Sequence, residues 1–261
     1  MKNSLALQHV SAGYGASPSE STPSILRDID LLIGEGELLV IAGPNGSGKS
    51  TLLKTAGGLL SPQAGRVTIN GKDIGSMKLR ERAAYTAILS QGRESPWPFS
   101  VRETVAQGRF SRMGWLGAES SADRDAVNTA LEKADLTALA ERTITELSGG
   151  ELQRVYIARC IAQGAAFLIL DEPENNLDPK YSYKIFTLLA ELVSEGRSAI
   201  ISLHDLRLAS HFAHRIALLS KARGGQSGSI SAIGPPAEVL TVDILSSIYD
   251  LAGGLVRSLI L

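Results

Sequence analysis

The chain has 261 residues, of which 44% are hydrophobic, and its formal net charge at pH 7 is −1. This length suits one α/β domain with an inserted lobe, and the apolar content is ample for a hydrophobic core. The near-neutral charge argues against general nucleic-acid binding, which usually requires a basic excess.

Cysteine content and hydropathy further limit the class of protein to which the chain can belong. The single cysteine, Cys160, excludes a disulfide framework and is expected to pack within a helix. No stretch approaches the ~18 apolar residues needed to cross a bilayer, and the N-terminus lacks the apolar core of a signal peptide. We therefore expect a cytosolic protein, which would need separate subunits to move anything across a membrane.

The first part of the chain is predicted to be rich in strands, with a loop in the Ser- and Pro-rich stretch 16–24 and a turn at Asn70-Gly71. The predicted strands cover residues 5–10, 29–33, 38–42 and 67–70.

A glycine-rich segment follows the predicted strand at 38–42. It reads Gly43-Pro44-Asn45-Gly46-Ser47-Gly48-Lys49-Ser50, with Thr51 next, and opens a predicted helix at 49–60. This fits the G-x-x-x-x-G-K-[ST] phosphate loop in its required strand–loop–helix context, the alternative being a glycine-rich turn without a ligand. In a phosphate loop, the N–H groups hold the phosphates, Lys49 neutralises the β- and γ-phosphates, and the Ser50 hydroxyl binds Mg²⁺.

From residue 92 to about 166 the pattern becomes helical, with predicted helices at 100–107 and 123–134 and another after Ser148. The first of these helices has a capping box formed by Ser100 and Glu103.

The third predicted helix begins in the segment Leu147-Ser148-Gly149-Gly150-Glu151. Ser148 and Glu151 form an ordinary capping box, which needs no function. Two glycines in a first turn are unfavourable for a helix, however, and indicate that another group approaches the backbone closely. Because a helix N-terminus is also an anion site, the structural and functional interpretations are compatible.

The apolar strand Phe167-Leu168-Ile169-Leu170 is followed by two carboxylates, Asp171 and Glu172. In a parallel sheet, ligands bind where the strands end, so both acids are expected to face the same crevice as the phosphate loop. Side chains alternate along a strand, which predicts that the two acids point different ways. The alternative is a pair of solvated acids that start a turn at Pro173.

Strands and helices are predicted to alternate through Leu219, including a strand at 198–202, as in a parallel α/β core. A glycine-rich turn at 224–228 and helices within 236–249 complete the chain. We predict a single domain over 1–261, with a helical subdomain at about 92–166 and a C-terminal extension at about 222–261.

The order and spacing of these motifs resemble those of the ATP-binding cassette (ABC) family over roughly residues 5–220. Other phosphate-loop proteins lack the Leu147 to Glu151 segment. The resemblance implies an α/β fold: a phosphate-loop (RecA-like) ABC ATPase core with an N-terminal antiparallel β subdomain and an inserted helical subdomain. It also implies ATP and Mg²⁺ as cofactors and ATP hydrolysis as the reaction.

The resemblance further implies roles for the acids and the glycine pair. Asp171 would hold Mg²⁺, through water, and Glu172 would polarise the attacking water, as in the family's Walker B motif. The segment Ser148-Gly149-Gly150-Glu151 would close over the γ-phosphate held by a second copy. One subunit would then carry only part of an active site.

Two residues after predicted strands match positions that contact the γ-phosphate in the family. Gln91, after a predicted strand at 85–90, would also bind Mg²⁺; alternatively it is a polar residue after an edge strand. His204 would contact the γ-phosphate directly; alternatively it merely precedes a helix N-cap at Asp205.

Two more positions match the family with ordinary alternatives. Asp178 would reach across the dimer, and it is equally an N-cap with Pro179 at the first helical position; both roles could hold. Tyr14 would stack on adenine, or else it covers a sheet edge.

Several segments between the motifs resemble the ATPase subunits of importers for ferric siderophores, haem and cobalamin. They are Val101-Arg102-Glu103, residues 146–155, residues 203–209 and Glu238-Val239-Leu240-Thr241. Such a subunit forms a homodimer through an ATP sandwich, binds no nucleic acid and sits at the cytoplasmic face of the inner membrane. It works beneath integral membrane permease subunits, to which an extracytoplasmic binding protein delivers the metal chelate.

The permease is expected to contact about Gln91 to Arg102, where Trp97 and Phe99 are candidate anchors and a packed loop is the alternative. The competing hypothesis is an ABC ATPase that drives a soluble macromolecular assembly, such as iron–sulfur cluster biogenesis, without a permease.

Two single positions and one three-residue segment depart from the family's commonest residues. Glu151 replaces glutamine, Leu152 replaces a basic residue, and Glu174-Asn175-Asn176 replaces Thr-Ser-Ala. The extra acid at Glu174, close to Glu172 and the dimer seam, leaves the hydrolysis rate and the subunit coupling open.

Overall fold

The computed structural model describes residues 3–14, 23–90, 97–113, 119–221 and 227–250. Gln91 and most of the predicted turn at 224–228 lie outside the described residues. Within these ranges, none of the helices combines the length and apolar character that a bilayer crossing demands.

The described residues contain ten strands. They are β1 (Ser4–Ala12), β2 (Leu26–Gly34), β3 (Leu38–Ala42), β4 (Ala64–Ile69), β5 (Lys72–Asp73), β6 (Thr86–Leu89), β7 (Phe167–Asp171), β8 (Ser198–Ser202), β9 (Arg215–Lys221) and β10 (Gly228–Gly234). All join one sheet, in the order β5-β4-β1-β2-β10-β9-β3-β8-β7-β6.

The sheet has a parallel part and an antiparallel part. Strands β6, β7, β8, β3 and β9 pair in parallel, which is the predicted α/β core. Strands β2, β1, β4 and β5 pair antiparallel, and β10 pairs antiparallel with β9. The predicted N-terminal antiparallel β subdomain is therefore confirmed.

Nine α-helices lie within the described ranges. They are α1 (Lys49–Ala56), α2 (Leu79–Tyr85), α3 (Val101–Ala106), α4 (Ser121–Lys133), α5 (Gly149–Gln163), α6 (Pro179–Ser194), α7 (Leu206–Phe212), α8 (Pro236–Val239) and α9 (Val242–Tyr249). Helices α3, α4 and α5 pack on one another between β6 and β7, so the inserted helical subdomain is confirmed. Its limits at about 92–166 stay a prediction.

Several element bounds differ from the prediction by a few residues, and two of these differences have clear local reasons. Helix α1 ends at Ala56 rather than near residue 60, because Gly57 caps it and Gly58 takes φ +74, a left-handed conformation. The strand predicted at 85–90 begins only at Thr86, because Tyr85 is the last residue of α2.

The hydrophobic core covers both faces of the parallel strands. In β3, Leu38, Val40 and Ala42 belong to the core cluster that contains residues of α3 to α9, whereas Leu39 and Ile41 belong to the cluster that contains α1 and the β subdomain. This is the period-two alternation of a strand buried on both faces. Because β3, β8 and β7 pair in parallel, their carboxyl ends meet at one edge of the sheet. At this edge Ile41 pairs with Ser202, and Ser202 pairs with Asp171.

Candidate functional site

The phosphate-loop segment connects β3 to α1 through two points that require glycine. Gly43 has φ +145, and a Cβ there would lie 2.3 Å from the Leu219 carbonyl oxygen. Gly48 has φ +101, and its Cβ would lie 2.5 Å from Leu26 Cδ2. Gly48 is also the N-cap of α1, and without a side chain it leaves the first N–H groups of α1 for another acceptor.

Lys49 at the start of α1 lies over this loop. Its ammonium group donates to the Gly43 carbonyl oxygen at 2.8 Å and to the Pro44 carbonyl oxygen at 3.4 Å. Burial lowers the pKa of Lys49, and the charges of Glu172 and Asp171 oppose that shift. The phosphate loop and the two acids at the carboxyl end of β7 therefore share one electrostatic environment, as the sequence predicted.

Two tyrosines flank the phosphate loop. The hydroxyl of Tyr14 accepts from Lys54 Nζ at 3.1 Å, and Lys54 Nζ lies over the Tyr14 ring at 5.3 Å from its centroid. The residue is 56% exposed, so part of its ring surface is accessible to a flat ligand. Tyr249, at the end of α9, was not expected here. Burial raises its pKa, and a hydrogen bond from the Gly43 backbone N–H opposes the rise, so the C-terminal extension reaches the phosphate loop.

Ser202 joins the two acids, a role that the sequence analysis missed. It is fully buried at the end of β8, and its hydroxyl donates to Asp171 Oδ1 at 2.6 Å. Ser202 Oγ in turn accepts from the Glu172 backbone N–H at 2.8 Å. A serine at the carboxyl end of an otherwise apolar strand was the available signal.

The Glu172 and Asp171 carboxylates contact different groups, but Glu172 does not lie on the strand from which its direction was predicted. Strand β7 ends at Asp171, and Glu172 takes φ +49, so a left-handed turn rather than strand alternation directs its carboxylate. Glu172 Oε1 lies 2.7 Å from His204 Nε2, and Glu172 Oε2 accepts from Asn175 Nδ2 at 3.0 Å. A non-glycine residue held in this conformation at a site of function is a common form of local strain.

Glu174 lies beside this pair. Its Oε1 atom accepts from the His204 backbone N–H at 3.3 Å, and its Oε2 atom is buried without a hydrogen-bond partner in the described part of the chain. Burial raises the pKa of Glu174 to about 7, and the nearby Glu172 and Asp205 charges add to the rise. Glu174, which replaces the family's commonest residue at this position, thus lies within the site.

The Leu147 to Glu151 segment forms the predicted helix start. Ser148 Oγ accepts from the Glu151 backbone N–H at 3.3 Å, and the Glu151 carboxylate accepts from the Ser148 N–H at 2.9 Å. A Cβ at Gly150 would lie only 2.8 Å from the Asn176 carbonyl oxygen, whereas one at Gly149 would make ordinary contact with the Asn176 side chain. The glycines predicted that another group approaches the backbone closely, and at Gly150 that group is the Asn176 carbonyl oxygen of the same chain.

Asp178 caps α6 as predicted, accepting from the Tyr181 backbone N–H at 2.9 Å, with Pro179 as the first helical residue. Residues 176–178 and the helix start at 148–151 line a shared surface cavity of about 500 Å³. Its described lining includes no residue of the phosphate loop. The structure therefore brings Lys49, Asp171, Glu172 and His204 into one group and Ser148 to Glu151 with Asp178 into another.

Comparison with known proteins identifies the family. The ABC transporter family model matches residues 26–175. The chain belongs to this family. It is 38% identical over 250 residues to the iron(3+)-hydroxamate import ATP-binding protein FhuC of Bacillus subtilis (strain 168), covering 95% of this chain and 88% of that protein. It is also 38% identical over 227 residues to the hemin import ATP-binding protein HmuV of Nocardia farcinica (strain IFM 10152), covering 87% and 76%.

Among solved structures, the chain resembles an ATP-binding cassette dimer in a post-hydrolysis state bound to ADP and Pi. The TM-score is 0.76 at 28% identity, and the match covers 89% of this chain and 98% of that one. The ABC fold, ATP binding and ATP hydrolysis follow from membership of the family.

Proposed function

We propose that this ABC ATPase powers the import of a metal chelate, of the ferric siderophore, haem or cobalamin type, through a separate membrane permease. The observation that carries the proposal is the contact between Glu172 and His204 beside the phosphate loop, in a chain whose named relatives are import ATPases. Those relatives give no support to the alternative of a soluble assembly without a permease.

In this proposal the residues Gly43 to Thr51 hold the phosphates of ATP, with Lys49 on the β- and γ-phosphates and Tyr14 against adenine. Ser50, Asp171 and Gln91 hold Mg²⁺, which neutralises phosphate charge when bound. The described donors fit this ion because a hydroxyl and a carboxylate are the oxygen ligands it prefers. Within the described residues, Ser202 engages only Oδ1 of Asp171 and leaves the other oxygen for a metal or its water.

Glu172 then acts on the attacking water, and His204 contacts both that carboxylate and the γ-phosphate. The 2.7 Å contact between His204 Nε2 and Glu172 Oε1 supports this assignment because it fixes the direction of the carboxylate. The catalytic contribution is mainly positioning and charge stabilisation around the γ-phosphate.

Two copies bind ATP head to tail, so that Ser148, Gly149, Gly150 and Glu151 of one copy meet the γ-phosphate held by the other. Asp178 lines the same cavity as this segment, which supports its position at the seam of the dimer. The first turn of α5 supplies N–H groups and the positive end of a helix dipole.

In this proposal the permease contacts residues 91–102 from the membrane side, so that the protein is peripheral at the cytoplasmic face of the inner membrane; an extracytoplasmic binding protein delivers the chelate. Trp97 is 66% exposed and Phe99 38% exposed, which supports an interface at this segment.

Glu172→Gln tests the hydrolytic assignment. The variant keeps the shape of the side chain but removes the carboxylate, so we expect normal ATP affinity, strongly reduced hydrolysis and accumulation of an ATP-bound dimer in gel filtration. Glu195→Gln, at an exposed acid paired with Lys133, is the matched control and should behave as the parent. ATP hydrolysis by Glu172→Gln at the parental rate would refute the assignment.

Ser148→Arg tests the shared site, and copurification tests the permease. We expect the variant to bind ATP at its own phosphate loop and to lose hydrolysis, because the arginine obstructs the partner's γ-phosphate. Normal turnover would contradict the head-to-tail arrangement.

Affinity purification should recover a polytopic membrane protein, and recovery of a soluble assembly partner instead would overturn the transport proposal.

A further inference from the structure

Glu174 occupies the turn between β7 and α6, two residues after Glu172, where the family's commonest residue is threonine. The turn around it is well fixed. The Asn175 N–H donates to the Glu172 carbonyl oxygen, and the Leu177 N–H donates to the Glu174 carbonyl oxygen, both at 3.1 Å. The Glu174 side chain therefore extends from a defined backbone.

The carboxyl group of Glu174 contacts the same histidine that contacts Glu172. Glu174 Oε1 accepts from the His204 backbone N–H at 3.3 Å, while the His204 ring nitrogen Nε2 lies 2.7 Å from Glu172 Oε1. The two acids and the histidine thus form a closed arrangement, with one acid on the main chain of His204 and the other on its ring.

The segment that carries His204 is fastened on both sides of this contact. Before it, the Leu203 N–H donates to the Ile41 carbonyl oxygen at 3.2 Å. After it, Asp205 caps α7 through the Arg207 and Leu208 N–H groups. The Glu174 carboxyl group is the acceptor that the structure gives to the N–H of His204 itself.

We propose that Glu174 is a positioning residue for ATP hydrolysis, whose carboxyl group holds the backbone of His204 so that the His204 ring stays on Glu172. The inference rests on the roles proposed above for Glu172 and His204. Glu174 touches neither nucleotide nor water in this proposal and acts through His204.

The charges around Glu174 predict how this contact depends on pH. Glu172 and Asp205 repel the ionised form and Lys49 attracts it, while the backbone N–H groups of Glu174 itself and of His204 stabilise it by hydrogen bonding. Burial raises the pKa of Glu174 to about 7. Because an ionised carboxylate is the stronger acceptor, the hold on His204 strengthens as the pH rises through this value.

The test compares kcat and KM for ATP in the full-length protein bound to its permease, between pH 6 and pH 8.5. For Glu174→Ala we expect kcat to fall about tenfold, the size of one hydrogen bond, with KM changed less than about twofold. For Glu174→Gln, which keeps a neutral acceptor, we expect most of kcat at pH 6 but no rise through pH 7. Parental kcat and pH profile in both variants would overturn the inference.

A second readout separates positioning from a structural role. The chain has four histidines, so a ¹H–¹⁵N spectrum of the imidazole nitrogens of the ATP-free protein can follow the His204 ring. We expect its signal to shift in Glu174→Ala and to return towards the parental position in Glu174→Gln. Loss of activity in Glu174→Ala with an unchanged His204 signal would refute the positioning role.

Failure of this inference is distinct from failure of the proposed function. If Glu172→Gln hydrolyses ATP at the parental rate, the hydrolytic assignment itself is wrong. If Glu172→Gln is inactive while both Glu174 variants match the parent, only the positioning role is wrong.

Discussion

The substitution Ser202→Ala should damage both stability and hydrolysis, because one hydroxyl serves both acids of the site. Ser202 is fully buried, donates to Asp171 Oδ1 at 2.6 Å and accepts from the Glu172 N–H at 2.8 Å. Alanine leaves a carboxylate oxygen and an N–H group without this partner. At about 1 to 2 kcal/mol for each group left unpaired, the loss of unfolding free energy should be about 3 kcal/mol.

Ser198→Ala is the matched control. Ser198 lies on the same strand, is also buried, and makes one hydrogen bond through its hydroxyl, to the Gly34 carbonyl oxygen at 2.8 Å. Its replacement should cost about 1 kcal/mol and leave hydrolysis unchanged. The difference in unfolding free energy between the two variants measures what Ser202 gains from its additional hydrogen bond to the Glu172 N–H and from the charge of Asp171.

Urea denaturation with linear extrapolation measures the two losses, and steady-state ATP hydrolysis measures the catalytic effect. Misplacement of Asp171 and Glu172 should lower kcat of Ser202→Ala by about 10- to 100-fold. Equal stability and equal kcat in the two alanine variants would refute the argument that Ser202 orients the acids.

Two further predictions concern stability and assembly. Glu174 has its pKa raised to about 7 by burial, so between pH 4.5 and 7 the native state binds a proton that the unfolded state has lost, and stability falls as the pH rises through this window. Urea titrations at pH 4.5 and 7.5 should show that the unfolding free energy of Glu174→Gln declines by about 3 kcal/mol less than that of the parent. An identical decline in the two proteins would contradict the raised pKa of Glu174. Gly150→Ala, whose Cβ would lie 2.8 Å from the Asn176 carbonyl oxygen, should displace that turn and weaken ATP-dependent dimer formation in gel filtration. Gly149→Ala, with ordinary contacts only, is the control, and equal dimerisation of the two would argue against the packing explanation.

The elements that the sequence predicted well are those whose determinants are local. Strand Leu38–Ala42 has the predicted bounds because it is a continuous apolar run followed by Gly43, and strand Ser198–Ser202, with three apolar residues between its serines, also has the predicted bounds. The capping boxes at Ser100 and Ser148 also formed as predicted, since both partners lie within three residues of each other.

The parts that the sequence could not predict depend on register between distant segments. Ser202 meets Asp171 only because β7 and β8 pair in parallel with those two residues opposite each other. Glu174 was noticed as an extra acid, but its contact with the His204 backbone requires two turns to meet at the sheet edge. The direction of Glu172 depends on its left-handed backbone, which a strand pattern does not contain.

The contacts of α5 connect the Leu147 to Glu151 segment to the turn that follows β7. Two residues beyond Glu151, the Gln153 side-chain amide donates to the carbonyl oxygens of Glu172 and Pro173, both at 3.2 Å. Gly150 meanwhile packs directly on Asn176, on the same turn. The helix start proposed to meet the partner's γ-phosphate is therefore fastened to the turn that carries this subunit's own Glu172. We therefore expect a displacement of α5 by a partner's nucleotide to move the turn that carries Glu172, because α5 contacts this turn through both Gly150 and Gln153.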